Sequence, residues 1–325
     1  MNKTKVLLTG LTGFIGGNVA KVIHNDFDVT ALVRPGTSKD RYNKYEDRVN
    51  IVEISLSNSD ELRVFLENNT FDYILHIGAL RGGRKFSREE YLKTNVVATQ
   101  IIINSAVKNN SKLIYCSSVG VYGAIPNEVP ATLMTPYKED NLYHITKIRC
   151  EQMIKKAITE KALYACIVRP GITYGKGDYG FPYTLTKLVM KRLLFLPKKD
   201  IYIHLTNVNL LTDVFTQLLR NGFISGKVWN VADREKVCFR ELVEFIYIKL
   251  GNNDEYPMSR YINKLFFQTF TGVSKLIKSE LWTSRFELIS NDWYFDVEAT
   301  YRDFELREYK TIPEFEVVVE WMMGI

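Results

Sequence analysis

The chain has 325 residues, 46% hydrophobic and 25% charged, the proportions of an ordinary globular protein long enough for one large α/β domain with an appended lobe. A net charge of +6 without a lysine/arginine block excludes a nucleic-acid tail, and the mildly positive field suits an anionic cofactor or substrate as well as it suits scattered solvated lysines. No apolar run approaches the roughly 20 residues of a membrane span, and Cys116, Cys150, Cys166 and Cys238 have no metal-ligand or CxxC spacing. With no signal peptide legible, the expected setting is reduced and cytoplasmic.

In chain order, Lys5–Thr9 reads as a buried strand and Phe14–Asn25 as the helix after it. Strands follow at Asp28–Val33, Val49–Ile54, Asp72–Ile77 and Lys112–Cys116, with a long helical segment over Tyr91–Lys108. A helix carrying Tyr143 and Lys147 leads to a strand over Ala162–Val168. Continuous apolar strands joined by helices predict a parallel sheet covered on both faces, a doubly wound Rossmann-type α/β fold. After Arg169-Pro170-Gly171 the pattern loosens into a basic helix near Lys187–Leu194, a strand at Lys227–Val231, a helix near Arg240–Ile246 and a mostly helical remainder. The expected division is a dinucleotide-binding domain over 1–173, with 201–231 returning to it, and a substrate lobe over 174–325.

Gly10, Gly13 and Gly16 give GxxGxxG after a strand and at the opening of a helix. Glycine serves there where the turn is tight, where backbone approaches phosphate and where helix packs on strand. Free N–H groups and the positive end of the helix dipole complete a pyrophosphate site. A tight turn with no ligand is the blander reading, and the flanking strand and helix weigh against it. At the end of the second strand, Val33-Arg34-Pro35-Gly36-Thr37-Ser38-Lys39 lacks the carboxylate that usually accepts from the ribose hydroxyls. Arg34, with Lys39 beside it, suits a 2′-phosphate. The competing reading is a solvated loop arginine. NADP(H) is therefore the preferred cofactor, with NAD(H) as the alternative, and no metal is expected.

Tyr143 and Lys147, at i and i+4, share a helix face. A phenol titrates near about 10 when free, so a neighbouring ammonium is expected to bring it toward the working range of an acid/base group. Ser118 is placed to polarise a substrate carbonyl. His76 is expected to pack at a strand end, His204 and His24 have no evident partners, and Arg81, Arg84 and Lys85 face either an anionic substrate or solvent. Lys187, Lys191 and Arg192 read as a solvated helix face.

The motifs in order resemble those of the extended short-chain dehydrogenase/reductases, the superfamily of nucleotide-sugar epimerases, dehydratases and dihydroflavonol-reductase-like enzymes. Thr9-Gly10-Leu11-Thr12-Gly13-Phe14-Ile15-Gly16 resembles the glycine loop. His76-Ile77-Gly78-Ala79 resembles HxAA with glycine for the first alanine. Ser117-Ser118-Val119-Gly120-Val121-Tyr122-Gly123 resembles SSxxVYG, Tyr143/Lys147/Glu151 resembles YxxxKxxxE, and Arg169-Pro170-Gly171-Ile172-Thr173-Tyr174-Gly175 resembles RPxxVYG. The resemblance implies Ser118, Tyr143 and Lys147 as catalytic, with Asn95 supporting them. It implies cofactor contacts from Gly10, Thr12, Gly13, Phe14, Ile15, Gly16, Arg34, Lys39, Leu56, Ile77, Gly78, Ala79, Tyr143, Lys147, Pro170 and Gly171, and substrate contacts from Arg81, Ser118 and Tyr174.

Departures from the pattern bear on substrate. Ser55-Leu56 replaces Asp-Leu, Ile172 stands where nucleotide-sugar enzymes have a diphosphate-binding asparagine, and Ile203–Val208 replaces an acidic pattern. The stretch Glu287–Asp296 resembles the reductase-like branch. The expected activity is an NADP(H)-dependent reductase or dehydrogenase on a small-molecule carbonyl/alcohol pair. The alternatives are a nucleotide-sugar epimerase or dehydratase with retained NAD(P) and a non-catalytic NADP(H) sensor. A homodimer through the helices holding Asn95 and Tyr143 is the superfamily's common assembly.

Overall fold

A computed structural model describes residues 3–81, 86–277 and 280–324. Its chain divides into two compact units, the first made of 1–121, 137–169 and 211–229, the second of 122–136, 170–210 and 230–325. The segment returning to the first unit is thus Leu211–Trp229 rather than the expected 201–231, and 122–136 leaves early for the second.

Five apolar runs of the first unit become strands close to their expected limits: β1 (Lys5–Thr9), β2 (Asp28–Val33), β3 (Asn50–Glu53), β4 (Tyr73–His76) and β5 (Lys112–Cys116). The sixth, β6 (Ala165–Pro170), begins three residues later than expected because Ala162 takes a left-handed conformation, φ 53°, and ends the preceding helix. The helices are α1 (Phe14–Ile23), α2 (Ser59–Asn68), α3 (Arg88–Tyr91), α4 (Ala98–Asn109) and α5 (Leu142–Lys161). Between α3 and α4, residues Leu92–Val97 form a π turn where the sequence reads as uninterrupted α-helix.

β1 pairs in parallel with both β2 and β4, and β4–β5 and β5–β6 continue the ladder in parallel. Strand order reverses between β1 and β4, so their carboxyl ends open the crevice where doubly wound sheets take ligands. Leu7, Ile74, Leu113, Tyr115 and Ile167 pack against α2, α4 and α5. The alternate residues Val6, Leu8, Leu75 and Ile114 are just as buried. With side chains alternating along each strand, both faces are covered, which explains the unbroken apolar runs.

The second unit holds β7 (Ile172–Tyr174), α6 (Phe181–Met190), β8 (Leu196–Pro197), β9 (Tyr202–Ile203) and β10 (Leu205–Asn207). α7 (Val208–Asn221) then runs into the first unit, and β11 (Val228–Val231) adds a seventh strand to the sheet beyond β6. β12 (Val237–Cys238), α8 (Phe239–Lys249), β13 (Tyr261–Ile262), α9 (Lys264–Leu276) and α10 (Glu280–Leu288) follow, with short helices to the end. Within the stretch Glu287–Asp296, the aromatics Trp293 and Phe295 are core. Trp293 is buried and donates its backbone N–H to Tyr202, and Phe295 bridges to Ala131 and stacks on His204.

Candidate active site

The loop after β1 is built around close backbone approach. Gly10 has φ +87°, and a Cβ there would lie 2.8 Å from the Gly78 nitrogen at the end of β4. A Cβ on Gly16 would meet the Gly10 carbonyl at 2.2 Å, so α1 is pressed onto the turn. α1 starts with no side-chain cap, leaving its first N–H groups for an anion. Thr12 and the first residues of the helix, Phe14 and Ile15, are partly buried around this opening. A loop that a Cβ would fill, beside an uncapped helix start, fits a dinucleotide pyrophosphate.

Thr9 ties the two strand ends together. Its hydroxyl accepts from the Gly78 N–H at 2.9 Å and bonds Nδ1 of His76 at 2.7 Å, while His76 Nε2 bonds Thr99 at 3.0 Å. Burial, helped by the Lys147 charge, pushes His76 down to about 3, so it stays neutral. The imidazole is a packing and bracing group, as expected from its strand-end position. Ile77, Gly78 and Ala79 are partly exposed just beyond it, and Leu56 leans toward Gly78.

Arg34 and Lys39 are exposed after β2. Arg41, which sequence reasoning passed over, donates to the Thr12 carbonyl at 2.6 Å and is the cation anchored to the glycine loop. Its signal was present as the third basic residue of the segment 34–41.

On α5, Lys147 is buried and its Nζ donates to the Cys116 carbonyl at 2.6 Å, over the Tyr115 ring. Burial pushes this lysine below its ordinary value. Tyr143, one turn earlier, is partly exposed and hydrogen-bonded to Ser118. Burial pushes the phenol well above its ordinary range, and the Ser118 hydrogen bond and Arg81 recover only part of that. The expected lowering of Tyr143 by Lys147 is therefore absent in the protein alone: desolvation dominates, and the ammonium is turned to a carbonyl 31 residues away in sequence.

Asn95 is buried in the π turn with its amide fully engaged. It accepts from the Leu80 N–H at 2.8 Å, and donates to the Leu80 carbonyl at 3.0 Å and to Thr146 at 2.9 Å. It therefore fixes the loop after β4 against α5, a positioning role. Ser117, next to Ser118, has a different task. Its hydroxyl donates to Glu151, which also takes two hydrogen bonds from Arg169 and one from Tyr137. Ser117, Glu151 and Arg169 each stand in a motif of the sequence, but nothing in the sequence joins them into this buried cluster. His144, also unremarked, pairs with Asp140 and packs over Gly120 and Ser118, where a Cβ on Gly120 would meet its Nε2 at 2.4 Å.

The structure therefore brings together, in the first unit, the glycine loop, Ile77–Ala79, Asn95, Ser118, Tyr143 and Lys147. Arg81 is exposed there, and Arg84 and Lys85 lie outside the described residues. Pro170, Gly171 and Tyr174 belong to the second unit. Gly171 donates its N–H to Val231 at 2.9 Å. Tyr174, expected to touch substrate, is fully buried with its hydroxyl 2.7 Å from Asp233, which also takes hydrogen bonds from Thr311 and the Asn207 N–H. Its hydroxyl is committed to that internal network. His204 is likewise internal, bonded to the Asp233 carbonyl and the Phe295 N–H.

A family model for the NAD dependent epimerase/dehydratase family matches residues 6–203. The chain belongs to that family. It is thereby an NAD(P)-dependent enzyme of the extended short-chain dehydrogenase/reductase type, as the motif order implied. It is 28% identical to a UDP-glucose 4-epimerase from Vibrio cholerae over 84% of each chain. It is 24% identical, over 73% of this chain and 70% of the other, to the N-acetyl-α-D-glucosaminyl-diphospho-ditrans,octacis-undecaprenol 4-epimerase of Escherichia coli O157:H7. Among solved structures, the Bordetella bronchiseptica enzyme WbmH in complex with NAD+ superposes with a TM-score of 0.78 over 99% of both chains at 16% identity, a likeness of fold.

Proposed function

We propose that this enzyme oxidises and re-reduces a ring carbon of a sugar carried on a diphosphate, inverting that carbon in the manner of a 4-epimerase. The observation that supports it is the convergence of Ser118, Tyr143 and Lys147 beside the glycine loop, in a chain two of whose relatives are named for 4-epimerisation of a sugar on a uridine or undecaprenol diphosphate. This places the weight on what the sequence offered as its second reading.

Bound at the glycine loop, the dinucleotide supplies the hydride acceptor. A positive charge brought by the bound oxidised dinucleotide would draw the Tyr143 phenol down. Tyr143 would then take the hydroxyl proton as the carbon is oxidised and return it as the carbon, turned to its opposite face, is reduced. Ser118 donates to the same oxygen and stabilises the charge that develops on it. Two of the Lys147 ammonium protons remain after the Cys116 hydrogen bond and would be available to hold the dinucleotide's ribose hydroxyls. Asn95 keeps α5 and the loop at Leu80 in register throughout.

A second reading, net reduction of a carbonyl with exchange of NADPH, rests on one observation. No carboxylate ends β2, and exposed Arg34 stands there instead. It makes NADP(H) the preferred dinucleotide on that reading.

One experiment separates them. The purified protein is denatured, the released dinucleotide is identified, and the native enzyme is given UDP-glucose with and without added NADPH. Epimerisation with retained NAD(P) and no consumption of added NADPH is expected. An empty enzyme that consumes NADPH in step with turnover of a carbonyl substrate would establish the reductase instead.

A further inference from the structure

In the second unit, α9 carries more exposed apolar surface than a solvated helix has use for. Leu265, Phe266, Phe270, Val273, Leu276 and Ile277 are between 45% and 82% exposed. At 100° per residue these six, Ile277 lying one residue past the helix end, fall within an arc of about 140° that also holds Thr269, whose hydroxyl donates back to the Leu265 carbonyl. Phe267 and Ser274, adjacent to that arc, are buried, and α10 occupies their side of the helix: Ser274 bonds Thr283, and Phe286 stacks on the edge residue Phe270. The arc itself stays uncovered. The remaining quadrant holds Gln268, Thr271 and Gly272. Single exposed leucines are ordinary, but an apolar stripe of this width marks an interaction surface.

The charge around the stripe is one-sided. From Met258 to Arg285 the described charged side chains, Arg260 and Arg285, are both basic. A second apolar and basic piece adjoins the start of α9. β13, which leads into the helix, pairs with β8, and the Arg260 guanidinium lies 5.1 Å over the Phe195 ring. Beside β8, Leu193 and Phe195 are 52% and 41% exposed, among exposed Lys191, Arg192, Lys198 and Lys199.

We propose that this face of the second unit seats on an anionic lipid bilayer, with the α9 stripe in the acyl boundary and the flanking lysines and arginines on the headgroups. The helix has 13 residues, about 20 Å at 1.5 Å per residue, which is too short to cross the hydrocarbon core and suits a helix lying in the interface. A second copy of the chain is a poorer occupant. In a twofold contact the same surface meets itself, so the basic fringe would face its own like charges.

The experiment is sedimentation of the full chain with phosphatidylcholine vesicles, with and without phosphatidylglycerol, over a salt series. It needs no substrate, so its result is independent of the catalytic reading. Binding to the phosphatidylglycerol vesicles that weakens as salt rises is expected. Phe266→Glu/Leu276→Glu, at exposed positions, should lower the bound fraction roughly tenfold or more. Lys198→Glu/Lys199→Glu should weaken the same binding without touching α9, which keeps the test decisive if the first variant misfolds. Native protein left in the supernatant with both kinds of vesicle would overturn the proposal. So would a dimer in sedimentation velocity that the α9 variant dissolves, because the stripe would then be covered by a second copy.

Discussion

Glu151 and Lys147 lie one turn apart on α5, both inside the first unit, and are held in opposite ways. The carboxylate takes two hydrogen bonds from Arg169, one from Ser117 and one from Tyr137. Burial pushes its pKa up, and these partners more than reverse the effect, so it lies below its ordinary value. The ammonium has one hydrogen bond among the described residues, to the Cys116 carbonyl, and burial pushes it down. A buried charge with every lone pair answered is a structural fixture. One with protons to spare, beside a phosphate-shaped loop, is held ready for a ligand.

Tyr143→Phe probes the ready half of the comparison and should have the largest effect. The ring and its packing remain but the proton donor is gone, so turnover should fall about 10²–10⁴-fold, with the thermal midpoint unchanged. A lower midpoint with intact turnover would invert the assignment of roles.

Glu151→Gln attacks the fixture and should cost about 3–5 kcal/mol of stability, because Arg169 is left as a buried charge without its counterion. Paired with Arg169→Met, much of that loss should return. The pH dependence follows from the lowered carboxyl. The unfolded chain protonates first, near about 4.3, so the pair's contribution is complete above that value and is lost as pH falls through the folded value. Urea midpoints at neutral and acid pH should therefore diverge less in Glu151→Gln than in the native protein.

Tyr137→Phe removes one hydrogen bond to that carboxylate and should cost about 1.5–3 kcal/mol, read in the same urea titration. Lys147→Met should have the smallest effect on folding, within about 1 kcal/mol, since a desolvated ammonium gives way to a thioether, yet it should abolish dinucleotide binding by calorimetry. The native lysine is lowered on folding, so stability rises as pH climbs from its folded value toward about 10.4. That rise should be missing in Lys147→Met. A large loss of stability in this variant would put Lys147 beside Glu151 as a fixture.

Much of the first unit was legible because its strands are buried on both faces and read as unbroken apolar runs. The glycine loop and the helix pairing of Tyr143 with Lys147 were equally plain, since spacing alone carries them. The state of that pair was not: desolvation depends on what surrounds α5, and sequence offset says nothing of the Cys116 carbonyl. The π turn at Leu92–Val97 was hidden because α and π turns share their composition. Tyr174 and Trp293 fell within family motifs while serving as core, as aromatics with a hydrogen-bonding end often do. The two- and three-residue strands of the second unit are too short to show a period. Substrate class was the least legible, and there the motif departures at Ile172 and Arg34 pointed away from the relatives.

The π turn has a consequence for helical phase. A π turn holds one residue more than an α turn, and here the Asn95 carbonyl takes the Thr99 hydroxyl at 2.5 Å and the Cys150 thiol at 3.2 Å. Asn95 must face Leu80 and Thr146, while Ile102 and Ala106 further on must face the sheet core. Deleting one residue from 92–97 would close the turn to α and swing everything beyond it by about 100°. The apolar stripe of α4 would leave the core if Asn95 kept its place, or Asn95 would leave the site if the stripe kept its own. Chain length between Tyr91 and Ala98 is therefore as much a part of the active site as the identity of Asn95.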